Sequence, residues 1–164
     1  MCCSALPFDA CEDFAFDKPA DARCRNVQAN HRCAIHGELR ARGFAGCAQY
    51  SCYGAGQRVT RAFGASRPLE RERNAAFRGL RALHELIWLL GEARALCPPA
   101  HAELAERIDA GLLRLNAAAQ DPTAPPSWRA LQEHELAARA LLREVGDAVG
   151  GRQRALRRSL PIAR

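Results

Sequence analysis

Cysteine is distributed very unevenly along this chain, and that distribution constrains its fold more than any other feature of the sequence. The 164-residue chain has eight cysteines, and only one of them lies beyond the first third. Thiols gathered with an imidazole are common ligands of zinc, and thiols alone are the usual ligands of iron–sulfur clusters. The sequence therefore predicts a local site formed around Cys24, Cys33, Cys47 and Cys52, with His36 between them.

The spacing of these residues only partly identifies the site. Cys33 and His36 have a two-residue gap, which allows both side chains to reach one ion from a single turn. Cys47 and Cys52 have a four-residue gap that a compact loop can close, and Cys24 would approach from a separate turn. The sequence lacks the more specific Cys-x-x-Cys pair of zinc ribbons and ferredoxin-type clusters. A bound metal, redox-active free thiols and disulfides therefore stay open as alternatives.

Some residues near this stretch have two interpretations each. His36 is either a ligand or a partly buried residue whose ring nitrogens hydrogen-bond locally. Cys11 is a further candidate ligand. Cys2 and Cys3 could complete a larger or second site, although thiols near a chain terminus are often unpaired. The predicted metal ligands are Cys11, Cys24, Cys33, His36, Cys47 and Cys52.

The N-terminal residues indicate a compartment. A charged leader followed by a long apolar stretch is not found, since Pro7 interrupts the segment and Asp9 follows it. No apolar run approaches the roughly 20 residues needed to span a bilayer. We therefore expect a cytoplasmic protein that does not enter a membrane. In a reducing cytosol, clustered cysteines stay as thiols, which favours metal binding or redox chemistry.

The second half of the chain has the pattern of amphipathic helices. In its first segment, Phe77, Leu80, Leu83, Ile87 and Leu90 recur at helical spacing among charged residues. Prolines divide the later segments, and Pro99 and Ser127 are suited to helix N-termini. The predicted helices run from about Pro68 to Leu96, from about Pro99 to Gln120, and from Ser127 to a stop at Gly150-Gly151. Trp88 and Trp128 are expected to anchor their core.

These elements predict a mainly α protein with three parts. Residues 1–67 would form a small irregular cysteine-rich metal-binding module, and residues 68–150 an antiparallel three-helix bundle. Residues 151–164 would form a basic tail that has much of the net charge of +6. Its arginines could contact nucleic acid or an acidic partner by releasing counterions, but a solvated tail is favoured because no nucleic-acid fold accompanies them. These arginines are Arg152, Arg154, Arg157, Arg158 and Arg164.

Several of these residues also match known patterns. The segment Cys24-Arg-Asn-Val, followed by Cys33-Ala-Ile-His36, Leu39-Arg40 and Cys47, resembles the second half of the bacterial zinc- or iron-chelating cysteine-cluster family. The stretch from Cys24 to Thr60 is also similar to the cysteine-rich leader of some bacterial proteins filed as pentapeptide-repeat proteins, although no pentapeptide repeat follows here. The resemblance covers about 40 of the 164 residues. It implies metal chelation by Cys24, Cys33, Cys47 and Cys52, and no catalysed reaction.

Three functional hypotheses follow, in decreasing order of support. The first is a small cytoplasmic protein that binds zinc or an iron–sulfur centre, with helices that support the site or dock a protein partner. The second is a redox- or metal-sensing regulator, since Arg23, Arg25 and Arg32 lie beside cysteines and positive charge lowers a thiol pKa. The third is an enzyme that uses the metal or cluster. The sequence shows no cofactor fingerprint or recognisable general base, so whether the protein is an enzyme stays open.

Overall fold

The protein is mainly helical, as the sequence predicts. The computed structural model describes residues 1–64 and 70–159, with side chains described as far as residue 150. In this part of the chain a single 3₁₀ turn, His36–Glu38, accompanies the α-helices. No β-strand is found among the described residues, which contain only isolated β-bridges. The helices are α1 (Cys2–Ala5), α2 (Ala45–Gln49), α3 (Ala55–Phe63), α4 (Glu70–Leu96), α5 (Ala102–Ala118) and α6 (Trp128–Ser159).

The chain forms two compact units, and the boundary between them falls within α4. The first unit contains Met1–Arg81 together with Asp121–Pro125. The second contains Ala82–Gln120 and the chain from Pro126 onward. The predicted division between residues 67 and 68 lies outside the described residues. The first unit contains all the predicted metal ligands.

Most of the first unit is irregular because its residues pair in short turns. The backbone of Phe8 pairs with that of Lys18 in both directions, with N–O distances of 3.0 and 2.7 Å. Further bridges join Cys11 to Phe14 and Val27 to Cys33. These pairings close small loops, and each loop ends at or beside a cysteine or Lys18. The spacing of the bridges therefore decides which side chains meet.

An aromatic cluster supplies much of the packing in the first unit. The rings of Phe8 and Phe14 stack with their centroids 4.6 Å apart, and those of Phe16 and Phe44 meet edge to face at 5.0 Å. Such pairs are worth about 0.5–1.5 kcal/mol each beyond the area that they bury. Phe44 is the most buried of the four, at 4% exposed, and it immediately precedes α2. The cluster therefore fixes the start of the helix that contains Cys47.

In the second unit, three helical segments contact one another through small and aliphatic residues. A Cβ added at Gly111 of α5 would lie 3.2 Å from Leu90 Cδ1 of α4 and 3.3 Å from Leu141 Cδ1 of α6. Arg94 Nε donates to Asp109 Oδ1 at 2.9 Å. Because residue numbers rise along one helix as they fall along its partner, these contacts have the order expected of antiparallel neighbours.

The helix limits differ from prediction mainly at the C-terminal side. Ser127 caps α6 as predicted, since its Oγ accepts a hydrogen bond of 3.2 Å from the Ala130 N–H. The stop predicted at Gly150-Gly151 is wrong, because α6 continues through both glycines to Ser159. Glycine costs about 1 kcal/mol in a helix interior, which weakens a helix without preventing it. The side chains of the predicted basic tail, and the predicted helix start at Pro68, lie outside the described residues.

Both tryptophans also differ from prediction. Trp88 is 48% exposed and Trp128 is 71% exposed, so neither anchors a core. The fully buried large side chains of the second unit are aliphatic instead, namely Leu83, Leu90 and Ile108. Among the described residues, no helix combines the length and the hydropathy that crossing a bilayer requires.

Candidate metal centre

Five cysteines of the first unit lie on four segments of the chain. Cys2 and Cys3 lie on α1, and the backbone of Cys24 is tied to that helix because its N–H donates to Cys3 O at 2.8 Å. The bridge between Val27 and Cys33 returns the chain toward Cys24, whose carbonyl accepts from the Val27 N–H at 3.0 Å. Cys47 approaches from α2. Local backbone pairing therefore positions every member of this group.

The pKa of Cys47 responds to three other cysteines of the first unit. The pKa of Cys47 lies above its ordinary value, first because burial disfavours the thiolate and then because ionised Cys2, Cys24 and Cys33 would repel it. Like charges raise a thiol pKa only when they are near one another. We call the group formed by Cys2, Cys3, Cys24, Cys33 and Cys47 the thiol cluster.

The two cysteines of α1 form a closely coupled pair. Their sulfurs are 3.9 Å apart, too far for a disulfide and suitable for a sulfur–sulfur hydrogen bond. That hydrogen bond lowers the pKa of Cys2 to about 6, against the opposing effect of burial and with help from the N-terminal amino group. The same bond, with burial and the charge of Cys2, raises the pKa of Cys3. One thiol of the pair therefore ionises easily while the other holds its proton.

Lys18 places a positive charge beside the cluster. It is the only lysine of the chain and is 4% exposed. Its ammonium donates to Leu6 O at 2.6 Å and to Pro19 O at 3.1 Å. Burial lowers the pKa of Lys18 below its ordinary value, while the nearby Cys24, Cys3, Asp21 and Cys2 act in the opposite direction. A cation therefore lies within electrostatic reach of three thiols of the cluster.

Cys52 shares the lining of one cavity with Cys2. Cys52 and Cys2 line an open cavity of about 550 Å³, together with residues of α3 and Phe77. The Cys52 thiol donates a weak hydrogen bond of 3.6 Å to Gln57 Oε1. The cavity gives Cys2 a route to solvent.

The predicted ligands Cys11 and His36 are both exposed. Cys11 is exposed in a tight turn that its backbone makes with Phe14. His36 is exposed at the start of the 3₁₀ turn. Among the described residues, neither side chain has a hydrogen bond or a resolved electrostatic effect on a cysteine. Cys97 lies in the second unit, with its thiol 3.7 Å from His101 O.

The cysteine thiols meet some of the requirements of a metal site. All eight cysteines are free, and thiolates suit zinc and iron–sulfur centres. A tetrahedral site with Zn–S bonds of about 2.3 Å places two sulfurs about 3.8 Å apart, close to the 3.9 Å between Cys2 and Cys3. Among the side chains that the structure describes, no three histidine, cysteine, aspartate or glutamate residues are gathered closely enough to hold an ion. Thiolate chemistry therefore suits such a metal, whereas the described side chains do not form a metal-binding group.

Sequence reasoning identified part of this arrangement. It predicts Cys24, Cys33 and Cys47, and the first two act on the pKa of the third. It left Cys2 and Cys3 undecided, and it gave no role to Lys18. The proximity of Lys18 follows from its backbone pairing with Phe8, which leaves no periodic signal in the sequence. The sequence signal for Lys18 is that it is a single lysine among many arginines and lies in a cysteine-rich segment.

Comparisons with known proteins add one relative. The chain is 40% identical over 112 residues to the uncharacterized protein YybG of Bacillus subtilis (strain 168), an alignment that covers 63% of this chain and 40% of that protein. This chain thus spans well under half of that relative's length. No protein-family model matches the chain, and no solved structure matches it. The name of the relative mentions no ligand or activity.

Proposed function

We propose that the first unit binds a metal through four thiolates, those of Cys2, Cys24, Cys33 and Cys47. The observation that carries the proposal is the influence of Cys2, Cys24 and Cys33 on the pKa of Cys47. Thiols from four chain segments would repel one another once ionised, and a bound cation removes that repulsion.

The weak apolar core of the first unit gives the proposal independent support. Residues 1–64 form short helices, turns and isolated bridges, and the large apolar side chains buried among them are Phe44 and Val59. Small domains with such a limited core commonly need disulfides or a metal for stability. Since the cysteines are free thiols and form no disulfides, a bound metal would supply this stabilisation. Its binding energy would then contribute directly to folding.

Zinc is the metal that we favour within this proposal. Structural zinc sites take four ligands, and the thiolates of Cys2, Cys24, Cys33 and Cys47 would supply that number. A site with four protein thiolates has no open position, so its role would be structural. An iron–sulfur cluster bound by the same cysteines is the alternative outcome of the test.

Elemental analysis of the full chain purified without oxygen tests the proposal, together with its visible absorption spectrum. We expect about one zinc per chain and a colourless protein, and iron with sulfide and a brown colour would indicate the cluster instead. Cys47→Ser should remove the metal. Cys97→Ser, in the second unit, is the matched control and should keep it. A metal-free protein, or Cys47→Ser with unchanged metal content, would contradict the proposal.

A second candidate function is a thiol-based sensor in a reducing cytoplasm. It is favoured by Cys2, whose pKa of about 6 and position in an open cavity suit a reactive thiolate. Alkylation by iodoacetamide at neutral pH, with the modified residue located by mass spectrometry, tests this function. Selective modification of Cys2 that changes the proteolytic pattern of the helices would support the sensor. Uniform slow alkylation of all cysteines would oppose it.

The helical part would then support the site or dock a protein partner. Trp128 and Leu136 on α6 are 71% and 69% exposed, and Leu113 on α5 is 73% exposed. Large apolar side chains in such positions suit a contact with another protein. Contact of the basic tail with nucleic acid stays a weaker proposal, tested by the salt dependence of binding to a mixed-sequence duplex.

A further inference from the structure

One open cavity of the first unit has thiols and a positive charge in its lining. Cys2, Cys52 and Arg61 line it, and its volume is about 550 Å³. Ligand pockets in proteins commonly have volumes of roughly 300–1,000 Å³. All the described lining residues belong to Met1–Arg81, so the cavity lies within a single compact unit. It therefore has room for a small peptide beside a thiol.

Helix α3 supplies one wall of this cavity through a single face. Gly56 and Thr60 are four residues apart, as are Gln57 and Arg61, and residues at this spacing share a face of a helix. The wall thus offers a hydroxyl, an amide and a guanidinium to a ligand. Of the described lining residues, none has a carboxylate. The charge of the lining therefore favours an anionic ligand.

The floor of the cavity is apolar and closely packed. A Cβ added at Gly56 would lie 3.5 Å from Cys52 Sγ, 3.6 Å from Met1 Cβ and 3.6 Å from Phe77 Cε2. Phe77 belongs to α4 and is fully buried. The glycine therefore lets α3, α4 and the residue before Cys2 meet at the floor.

Cys2 is the nucleophile of the cavity, and the geometry of α1 opposes a disulfide with its neighbour Cys3. The hydrogen bond between their sulfurs, which are 3.9 Å apart, holds the pKa of Cys2 at about 6, so Cys2 is mainly thiolate at neutral pH. A disulfide usually joins Cα atoms about 4.4–6.8 Å apart, whereas adjacent residues have theirs about 3.8 Å apart. A group attached to Cys2 is therefore not readily displaced by Cys3.

We infer that Cys2 is a site of reversible S-thiolation and that the cavity binds the anionic thiol compound that becomes attached to it. This inference deepens the second candidate function, that of a thiol-based sensor. The Cys2 thiolate attacks one sulfur of a small disulfide, RSSR. The S–S bond of RSSR breaks, a Cys2–S–S–R bond forms, and the other half leaves as the thiolate RS⁻. The small disulfide is the oxidant, and an added thiol reverses the step.

Arg61 gives the cavity a preference among small disulfides. Its side chain is exposed and lines the cavity, and the planar guanidinium suits a carboxylate. A disulfide whose halves have carboxylates is therefore favoured over a cationic one. A zinc ion on Cys2 would occupy the same thiolate, so S-thiolation and metal binding by Cys2 exclude each other.

Two disulfides of opposite charge test the inference on the full chain as purified. Oxidised glutathione is the anionic probe and cystamine the cationic one, and zinc content is measured on the same sample. Peptide mass spectrometry locates each adduct and follows its formation, with the exposed Cys11 as internal reference. Arg61→Gln removes the charge of the lining. Arg42→Gln is the matched control, because Arg42 forms an exposed ion pair with Glu38 and is not among the described lining residues.

We expect oxidised glutathione to modify Cys2 before any other cysteine. Arg61→Gln should slow this step about two- to fivefold relative to Cys11, as the loss of one exposed ion pair implies. The rate with cystamine should not fall in Arg61→Gln, and Arg42→Gln should change neither rate. Equal glutathione rates for Arg61→Gln and the unsubstituted protein would overturn the inference. So would a Cys2–Cys52 disulfide formed in place of the adduct.

Iodoacetamide separates this inference from the sensor function on which it rests. Selective alkylation of Cys2 without attachment of glutathione would overturn the inference alone. If neither reagent selects Cys2, the sensor function fails with it. Bound zinc in a protein whose Cys2 resists both reagents would favour the metal centre over both.

Discussion

Arg78 of α4 donates a hydrogen bond of 2.6 Å to the carboxylate of Asp21, three residues before Cys24. The same guanidinium donates to Ala5 O, at the end of α1, at 3.3 Å. Asn74, one helical turn earlier, donates to Asp21 at 3.0 Å. The first half of α4 therefore holds two cysteine-bearing segments together. This explains why the first unit extends as far as Arg81.

Removing the Asp21 carboxylate should destabilise the first unit. Asp21→Ala leaves the fully buried Asn74 amide without its acceptor, which costs about 1–3 kcal/mol of unfolding free energy. Asp21→Asn is the matched control, because asparagine keeps an acceptor oxygen and tolerates the φ of 60° found at this residue. Urea denaturation followed by circular dichroism measures both. Equal stability of the two variants would show that the acceptor is unimportant.

The same carboxylate should make stability depend on pH. Hydrogen bonds from Arg78 and Asn74 hold the pKa of Asp21 below its ordinary value. A depressed carboxyl pKa stabilises the fold above the unfolded-state pKa of about 3.9, and this contribution is lost as the pH falls through the folded-state value. Because both side chains are more than a third exposed, we expect less than about 1 kcal/mol. Urea titrations between about pH 2 and pH 6 should show a steeper loss for the unsubstituted protein than for Asp21→Asn.

The predicted ligands should differ in their effect on metal content. Cys33→Ser should abolish stoichiometric zinc, because Cys33 lies near Cys47. Cys11→Ser and His36→Ala should retain it, since both residues are exposed. Metal analysis after gel filtration measures all three. Loss of zinc from His36→Ala would show that a histidine completes the site and would weaken the proposed all-thiolate centre.

The two parts of the chain differ in how far the sequence could predict them. The spacing of Phe77, Leu80, Leu83 and Leu90 predicted α4, and all four side chains are buried. The thiol cluster could be predicted only in part. The density of cysteines along the sequence indicates Cys24, Cys33 and Cys47, but it indicates Cys11 and His36 equally. Which of these residues meet depends on turns such as Val27 to Cys33, and turn pairing has no hydrophobic period.

A glycine beside Cys47 should couple the aromatic cluster to the site. A Cβ at Gly46 would overlap the ring of Phe14, so Gly46→Ala forces either that ring or α2 to move. Overpacking of this kind typically costs about 1–3 kcal/mol. Because Cys47 is the next residue of α2, we expect weaker zinc binding as well as lower stability. Gly37→Ala is the control, since a Cβ there has no neighbour within 4 Å. A metal affinity unchanged by Gly46→Ala would show that the site tolerates displacement of α2.

Substitution of two helical glycines in the second unit should change the unfolding free energy in opposite directions. At Gly91 of α4 an added Cβ meets nothing within 4 Å, so Gly91→Ala should raise the unfolding free energy by about 0.5–1 kcal/mol through helix propensity. At Gly111 an added Cβ would already crowd Leu90 and Leu141, and Gly111→Leu should therefore cost about 1–3 kcal/mol. Thermal unfolding of the two variants measures the difference. If Gly111→Leu were as stable as the unsubstituted protein, α4, α5 and α6 could not approach one another closely at this residue.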